Sequence, residues 1–349
     1  MKRYAPCASE ARPISRSQGD PTQSMTTRVI AVDVGGTHAR FCEAEINDGG
    51  VLLHDVVTLP TAAYPGLTDA WEAFQATRSG PRIRHAAIAV ACPVDGATIK
   101  LTNSAWTFRA DRLARDLGVE QLTLVNDFAA LGHAVACAGP DAFVHLCGPA
   151  KSLPATGTIA ICGPGTGLGV GVLHRHPLGY EIRNSEGGHQ DFAPVDPFED
   201  RLLARLRTLH GRVSVERVVS GPGIVAIREA LLETHSGSTD GDDRRIWQNG
   251  LTGEDSLSQA AIERFCAALG TFAGNVALDH CAHGVVIAGG VGQRLRPVLS
   301  QSDFAARFAN KGRFGPILQD VPVKLIVHEY PGLLGVAAAF AKEHRGNGF

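Results

Sequence analysis

The chain has 349 residues, 44% of them hydrophobic and 19% charged, with a formal net charge of −2. This length suits one large or two medium domains, and the composition is that of a soluble globular protein. The charge balance leaves no footprint for nucleic acid and no apolar run reaches membrane-spanning length, so small neutral or anionic ligands remain.

The eight cysteines (Cys7, Cys42, Cys92, Cys137, Cys147, Cys162, Cys266 and Cys281) include no Cys-x-x-Cys pair, and several lie inside apolar runs. That is the pattern of reduced, buried thiols in a cytosolic protein. Residues 1–24 are polar and rich in Arg, Ser and Pro, without the apolar core of a signal peptide. They read as a disordered tail, or as an extension upstream of a natural start at Met25.

Strands are expected over 29–34 and 39–46, followed by a hairpin turn at Asn47-Asp-Gly-Gly50 and a returning strand over 51–59. A helix over 64–77 places Leu67, Ala70, Trp71 and Phe74 on one face. A buried strand over 85–91 stops at Pro93, and a helix over 111–117 leads to a strand-like run from Leu122 to Asn126. After Asp127, Phe128, Leu131 and Val135 recur at helical spacing. The order βββαβαβ implies a mixed sheet with helical crossovers.

A second unit begins with a strand over 157–162, a turn from Gly163 to Gly167 and a strand over 168–174. Ile30-Ala31 and Gly36-Thr37 recur as Ile159-Ala160 and Gly165-Thr166 at one offset of 129 residues, which suggests the same strand, turn and strand used twice. Gly-rich acidic loops follow over 180–200, then a helix over 198–209, a mobile polar loop over 235–243 and a long apolar helix over 257–280. Strands over 284–288 and 321–327 and a closing helix over 332–342 complete the chain.

Ligands of α/β sheets bind at the carboxyl ends of strands, where Asn126 and Asp127 could grip and deprotonate an alcohol; the same pair could simply cap the next helix. The two Gly-Thr turns suit an anion, because glycine lets backbone N–H groups approach phosphate oxygens and the Thr hydroxyl adds a donor. Neither turn is a P-loop or a dinucleotide fingerprint. Asp33, among apolar neighbours, is costly unless it meets a cation or donors, so it either faces Mg²⁺ or its water shell or caps its turn. Glu186 and His189 flank two glycines, which disfavours a helical metal pair and favours a loop converging on ligand hydroxyls. Asp191, Asp196, Glu199 and Asp200 read as a solvated acidic face. Glu216, ahead of Ser220-Gly-Pro-Gly223, fits a hydroxyl ligand and a helical surface residue equally well.

Together, Asp33-Val34-Gly35-Gly36-Thr37, Leu101-Thr-Asn103 with Trp106, Asn126-Asp127-Phe128, Gly163 to Gly169, Glu186-Gly-Gly-His189 with Asp191-Phe-Ala-Pro194, Glu216-Arg217 with Ser220-Gly-Pro-Gly223, Ala288-Gly289-Gly290, Lys311-Gly-Arg-Phe314 and Pro331-Gly-Leu-Leu-Gly335 resemble, in order, the bacterial glucokinase family. The resemblance implies a two-domain actin-like ATPase (ribonuclease H-like) α/β fold, with mixed sheets, flanking helices and an interdomain cleft. The small domain would comprise 25–136 plus 330–349 and the large domain 137–329. It further implies ATP-dependent phosphorylation of glucose at the 6-hydroxyl with Asp127 as general base. Asn103, Asn126, Glu186, His189 and Glu216 would bind the sugar. Asp33 would sit at Mg²⁺ through water, and Val34, Gly35, Gly36 and Thr37 would line the first phosphate turn. Gly163, Gly165, Thr166 and Gly167 would form the second phosphate turn, and Gly289 and Gly290 would lie towards the nucleoside. A cytoplasmic homodimer that binds neither nucleic acid nor membrane is expected.

Three positions depart from the family's common pattern: His38 in place of Asn, Ser185 in place of Gly, and the run Val291-Gly292-Gln293. The alternatives are a catalytically inactive sugar-binding regulator and a kinase for another hexose. A sugar-acid kinase would call for basic residues in the acceptor pocket, where this chain has neutral and acidic ones.

Overall fold

Strand β1 (Thr27–Val34) turns Ile30, Val32 and Val34 to one side and Val29 and Ala31 to the other, all fully buried. A strand apolar on both faces needs a layer packed on each, and the rest of the fold supplies them. The computed structural model describes residues 26–101, 104–232 and 241–345.

β2 (His38–Asn47), β3 (Gly50–Leu53) and β4 (Val57–Pro60) follow, then α1 (Leu67–Thr77) and β5 (His85–Val90). Next come a small hairpin of β6 (Thr98–Lys100) and β7 (Thr107–Arg109), α2 (Ala110–Leu117), β8 (Gln121–Asn126) and α3 (Asp127–Cys137). The first sheet has the order β3-β2-β1-β5-β8, with β4 also on β2. β5 and β8 run parallel to β1, as the crossover helices require.

The returning strand expected over 51–59 is broken. β3 and β4 both pair with β2, but their registers differ by one residue across 54–56, so an extra residue bulges out there. Thr61, just past β4, donates its hydroxyl to the Gly36 carbonyl at 2.9 Å, and its N–H donates to the Thr37 carbonyl at 3.0 Å. The bulged ribbon thus braces the first glycine turn.

The second half contains β9 (Phe143–Cys147), β10 (Gly157–Pro164), β11 (Leu168–His176), β12 (Gly179–Ser185), α4 (Pro197–His210), α5 (Gly223–Leu232), α6 (Asp243–Thr252) and α7 (Ser256–Asp279). It closes with β13 (Gly284–Ile287), α8 (Gly289–Arg294), α9 (Phe304–Ala309), α10 (Gly315–Gln319), β14 (Val323–Ile326) and α11 (Pro331–Arg345). The sheet order is β12-β11-β10-β13-β14-β9.

Part of the stretch read as loops over 180–200 is strand β12. Charged Glu181 and Arg183 point outward at this sheet edge, while Tyr180 and Ile182 pack inward, an alternation masked by the charges. Only the end of the polar loop over 235–243 lies among the described residues. There Asp242 caps α6 by accepting from the Arg244 N–H at 3.1 Å.

The clusters of buried residues resolve into layers. Ile30, Val32, Val34, Ile88 and Val90 meet α1 and α2 through Trp71, Phe74, Leu113 and Leu117. Val29, Ala31, Ala87 and Ala89 meet α11 through Leu333, Val336, Ala337 and Phe340. On the second sheet Ile159, Ile161 and Leu173 face Leu131, Ala134 and Val135 of α3, while the reverse side, Ala160 and Cys162, meets α5 and α7. Helices α3 and α11 therefore form one layer shared by two sheets.

The same strand order in both halves supports the repeated device, with a correction to the match by residue. Ile30 faces α1 whereas Ile159 faces α3, so the Ile-Ala pairs are one residue out of step. β1 and β2 last pair at Val34 and Ala39, β10 and β11 at Pro164 and Leu168, so the second turn is one residue shorter. Only the Gly-Thr dipeptides correspond, counted from the following strand.

The acidic stretch also needs correcting. Asp196 caps α4, accepting from the N–H groups of Phe198 at 3.0 Å and Glu199 at 2.9 Å, and pairs with Arg264 at 2.8 Å and Arg307 at 3.3 Å. Glu199 is buried against Arg307, so these two acids hold α4, α7 and α9 together. Asp191 is exposed and pairs with Arg212 at 2.7 Å, as a solvated acid would. The described cysteines are free thiols; burial pushes Cys42, Cys162 and Cys266 up to about 12, and Cys281 is exposed. Among the described residues no helix is long and apolar enough to cross a membrane.

α11 and α3 cross where a Cβ on Gly335 would fall 1.7 Å from the Ala130 carbonyl oxygen. Gly335→Ala is therefore expected to force the two helices apart and lower unfolding free energy by about 3 kcal/mol or more. Urea denaturation of the variant beside the native chain checks this.

Candidate active site

The parity of β8 decides where Asp127 faces. The Thr123 hydroxyl donates to Glu343 on α11 at 2.6 Å, and Val125 packs on the same layer, so the alternation carries Asp127 to the inner side. Asp33 lies on the inner side of β1 by the same rule, beyond Val29 and Ala31. β5 runs between the two strands and pairs with both. Two acids thus share one cleft, near the carboxyl ends of parallel strands.

Asn126 is the N-cap of α3. Its Oδ1 accepts from the Phe128 N–H at 2.8 Å and the Ala129 N–H at 3.4 Å, while its Nδ2 donates to the Cys92 carbonyl at 3.3 Å. Capping and a site role are therefore compatible, because the side chain that caps α3 also hydrogen-bonds the Asp127 carboxyl. The Phe128 N–H also donates to Asp127 Oδ1 at 2.8 Å. Asp127 is open to the cleft, yet its carboxyl is pushed up to about 6, first by burial and then by the charge of Asp33; the Phe128 N–H and Asn126 oppose this only in part.

Burial also raises Asp33, against the lowering effect of Arg40. Arg40 is its direct cross-strand partner, with Nη1 3.4 Å from Oδ2. A Cβ on Gly332, in the first turn of α11, would lie 2.7 Å from Asp33 Oδ2, so this carboxylate rests against a helix start that favours negative charge. Arg40 was not singled out from the sequence, and Gly332 stood out only as part of the run from Pro331 to Gly335. A hairpin with a four-residue turn after Val34 does imply that position 40 opposes position 33.

In the first turn the Gly35 N–H donates to the His38 carbonyl at 2.9 Å, and His38 Nδ1 lies 3.1 Å from the Thr37 hydroxyl. Gly36 is half-buried, Thr37 is exposed, and the Val34 side chain is buried on the opposite face, so only the Val34 backbone can reach a cleft ligand.

In the second turn the Gly165 N–H donates to the Gly167 carbonyl at 2.8 Å. The Gly165 carbonyl accepts from the Gly221 N–H at 2.6 Å, which adds the Ser220-Gly-Pro-Gly223 segment to the turn. Thr166 is exposed at its tip. Gly289 has φ +76 and backs onto the Pro164 carbonyl, where a Cβ would fall at 2.6 Å, while Gly290 borders open space.

Glu216 occupies a short 3₁₀ turn and accepts from the Leu168 N–H at 2.9 Å, so it is not a helical surface residue. Its other oxygen is 3.9 Å from His189 Nε2. Gly188 presses on the Leu168 carbonyl, which brings the Glu186 loop over the start of β11. Asn184 Nδ2, two residues before Glu186, reaches Asn126 Oδ1 at 3.5 Å. Glu186 itself is exposed beside this link. Contacts thus link Asp33 with Asp127, Asn126 with the strand that leads to Glu186, and Glu216 with both His189 and the start of β11; Asn103 lies outside the described residues.

Ionising Asp127 is harder in the folded chain than in the unfolded one, where its carboxyl has the ordinary value of 3.8. Its contribution to stability is therefore lost as pH rises from about 4 through 6. Asp127→Asn is expected to gain stability over the native chain at pH 8 and none at pH 4, read by urea unfolding at both. Asp33→Asn removes the neighbouring charge and should lower the Asp127 titration midpoint, followed by NMR of isotope-labelled aspartate.

The family model for glucokinase matches residues 30–343. The glucokinase of Zymomonas mobilis is 47% identical over 318 residues, covering 90% of this chain and 98% of that protein. A bifunctional protein of Burkholderia pseudomallei is 39% identical over 323 residues, covering 90% of this chain and 48% of the relative, so the chain spans about half of that protein's length. Among solved structures, the glucokinase of an Antarctic psychrotroph has a TM-score of 0.80 at 32% identity, covering 90% of this chain and 99% of that one. The paired mixed sheets with a shared helical layer form the expected actin-like ATPase architecture, and the chain belongs to the glucokinase family.

Proposed function

We propose that Asp127 is the general base of this glucokinase-family enzyme, which transfers the γ-phosphoryl group of ATP to the 6-hydroxyl of glucose. One observation carries the reading: a carboxyl pushed up to about 6 stands at the carboxyl end of a parallel strand, sharing a cleft with Asp33. A base of that strength accepts a hydroxyl proton near neutral pH as the phosphoryl group arrives. Loose phosphoryl transfer asks chiefly for alignment, charge neutralisation and such a base.

The sugar would lie between Asn126 and the loop of Glu186 and His189, with Glu216 and Asn103 on its other hydroxyls. Each buried hydroxyl needs a partner, and an unpaired one penalises the wrong sugar. Gly36, Thr37, Gly165, Thr166 and Gly167 would cradle the phosphates, with Gly289 and Gly290 on the nucleoside side. The lobes 25–136 plus 330–349 and 137–329 would close on the pair and exclude water as a competing acceptor. A homodimeric state goes with this reading and is checked by light scattering of the purified chain.

The residues also fit Mg²⁺. Asp33 is a hard oxygen donor whose charge Arg40 balances only at 3.4 Å, with a second carboxyl nearby. Among the described residues no group of three or more His, Cys, Asp or Glu could hold a metal, which suits an ion held largely by water and phosphate. When bound beside Asp33, Mg²⁺ would neutralise phosphate charge.

Asp127→Ala is expected to lower kcat/KM for glucose by more than about tenfold. In the native chain kcat/KM should fall as pH drops below about 6, because the base becomes protonated. ADP release assayed over a panel of hexoses distinguishes glucose from other acceptors; no turnover with any hexose would leave a sugar-binding regulator. A loss on Asp127→Ala smaller than about tenfold would remove Asp127 as the base.

A further inference from the structure

Phe128 follows Asp127 directly, and its ring lies where β10 and β11 carry no side chains. A Cβ on Gly163 would fall 2.5 Å from the ring, one on Gly169 2.3 Å and one on Gly171 3.0 Å. Gly163 and Gly169 are direct cross-strand partners, and Gly171 lies two residues further along β11 on the same face. The three glycines make a bare patch at the closed end of the hairpin, beneath the turn formed by Gly165, Thr166 and Gly167. Phosphate approach accounts for the glycines of the turn itself but not for Gly169 and Gly171, which are covered by the ring.

We infer that Phe128 is a positioning residue for phosphoryl transfer: its ring, seated on Gly163, Gly169 and Gly171, sets the position of the Asp127 carboxylate relative to the second glycine turn. The link from ring to carboxylate is short. The Phe128 N–H donates to both Asp127 Oδ1 and Asn126 Oδ1 at 2.8 Å, so the residue that carries the ring also supplies the amide that orients the acid and closes the cap. Moving the ring off the patch shifts the start of α3 against the hairpin. A displacement of about 1 Å between base and phosphate is enough to cost on the order of a hundredfold in rate.

This inference rests on Asp127 being the base, and the two are tested together. Asp127→Asn, Phe128→Ala, Phe128→Leu, Gly169→Ala and the Phe128→Ala/Gly169→Ala double variant are assayed for kcat and for KM of glucose and ATP, with folding checked by circular dichroism. Phe128→Ala is expected to lower kcat at least about tenfold with KM for glucose within about threefold, and Phe128→Leu to keep kcat within about threefold of native. Gly169→Ala displaces the same ring, so the double variant should be no more than about threefold worse than Phe128→Ala.

A folded Phe128→Ala whose kcat falls less than about tenfold overturns the inference, as do losses that multiply in the double variant. If Phe128→Ala does not fold, Gly169→Ala and Phe128→Leu decide: Gly169→Ala losing at least about tenfold while Phe128→Leu stays within about threefold supports it, and any other pair of results overturns it. Near-native activity of Asp127→Asn would remove the base itself. An inactive Asp127→Asn beside a fully active Phe128→Ala would remove only the role of the ring.

Discussion

The cleft depends on a layer of two helices, α3 and α11, wedged between two sheets. Their crossing is so close that Gly335 has no room for a β-carbon against the Ala130 carbonyl. α3 begins with Asp127, and α11 begins against Asp33 at Gly332. The separation of the two acids is therefore set by how these helices pack, as much as by the strands that carry them. The layer is also tied to the second sheet by polar contacts. His133 on α3 lies 2.8 Å from the Tyr180 hydroxyl, and Lys342 on α11 sits 4.5 Å above the Tyr180 ring. Burial, with the Lys342 charge, pushes His133 down to about 4, so it is a neutral hydrogen-bonding partner at physiological pH.

Two carboxyls on one inner face are costly together, and the fold offsets this only partly. Arg40 lies at 3.4 Å from Asp33, and the unbalanced charge of Asp33 adds to burial, the larger cause, in raising Asp127. This frustration has a function in the proposed reaction. A cleft already short of positive charge favours a nucleotide arriving with its cation, and a carboxylate made reluctant to ionise is a better proton acceptor.

The two glycine turns are one device built twice with different surroundings. Thr61 braces the first from the bulged ribbon, and the second is enclosed by Gly221, Glu216, Gly289 and the Phe128 ring. Glu216 connects the start of β11 beside the second turn to His189, so the two loops share a carboxylate.

Local patterns in the chain were enough to locate the first hairpin, the Gly-Thr turns, the strand ending at Asn126 and the long apolar helix, because each is written in neighbouring residues by alternation, helical spacing or glycine. They also marked Asp33, Asp127 and the Glu186 loop, since an acid in an apolar run or beside glycines stands out against its neighbours. What tertiary structure decided lies across long stretches of chain. β9 pairs with β14 across more than half the second unit, and Asp196 and Glu199 became internal partners of arginines far along the sequence. The Ile-Ala repeat fell on opposite faces because one turn is a residue shorter than the other, and a strand changes face with every residue. The seat of Phe128 on three glycines follows from packing between two sheets, which no local pattern encodes.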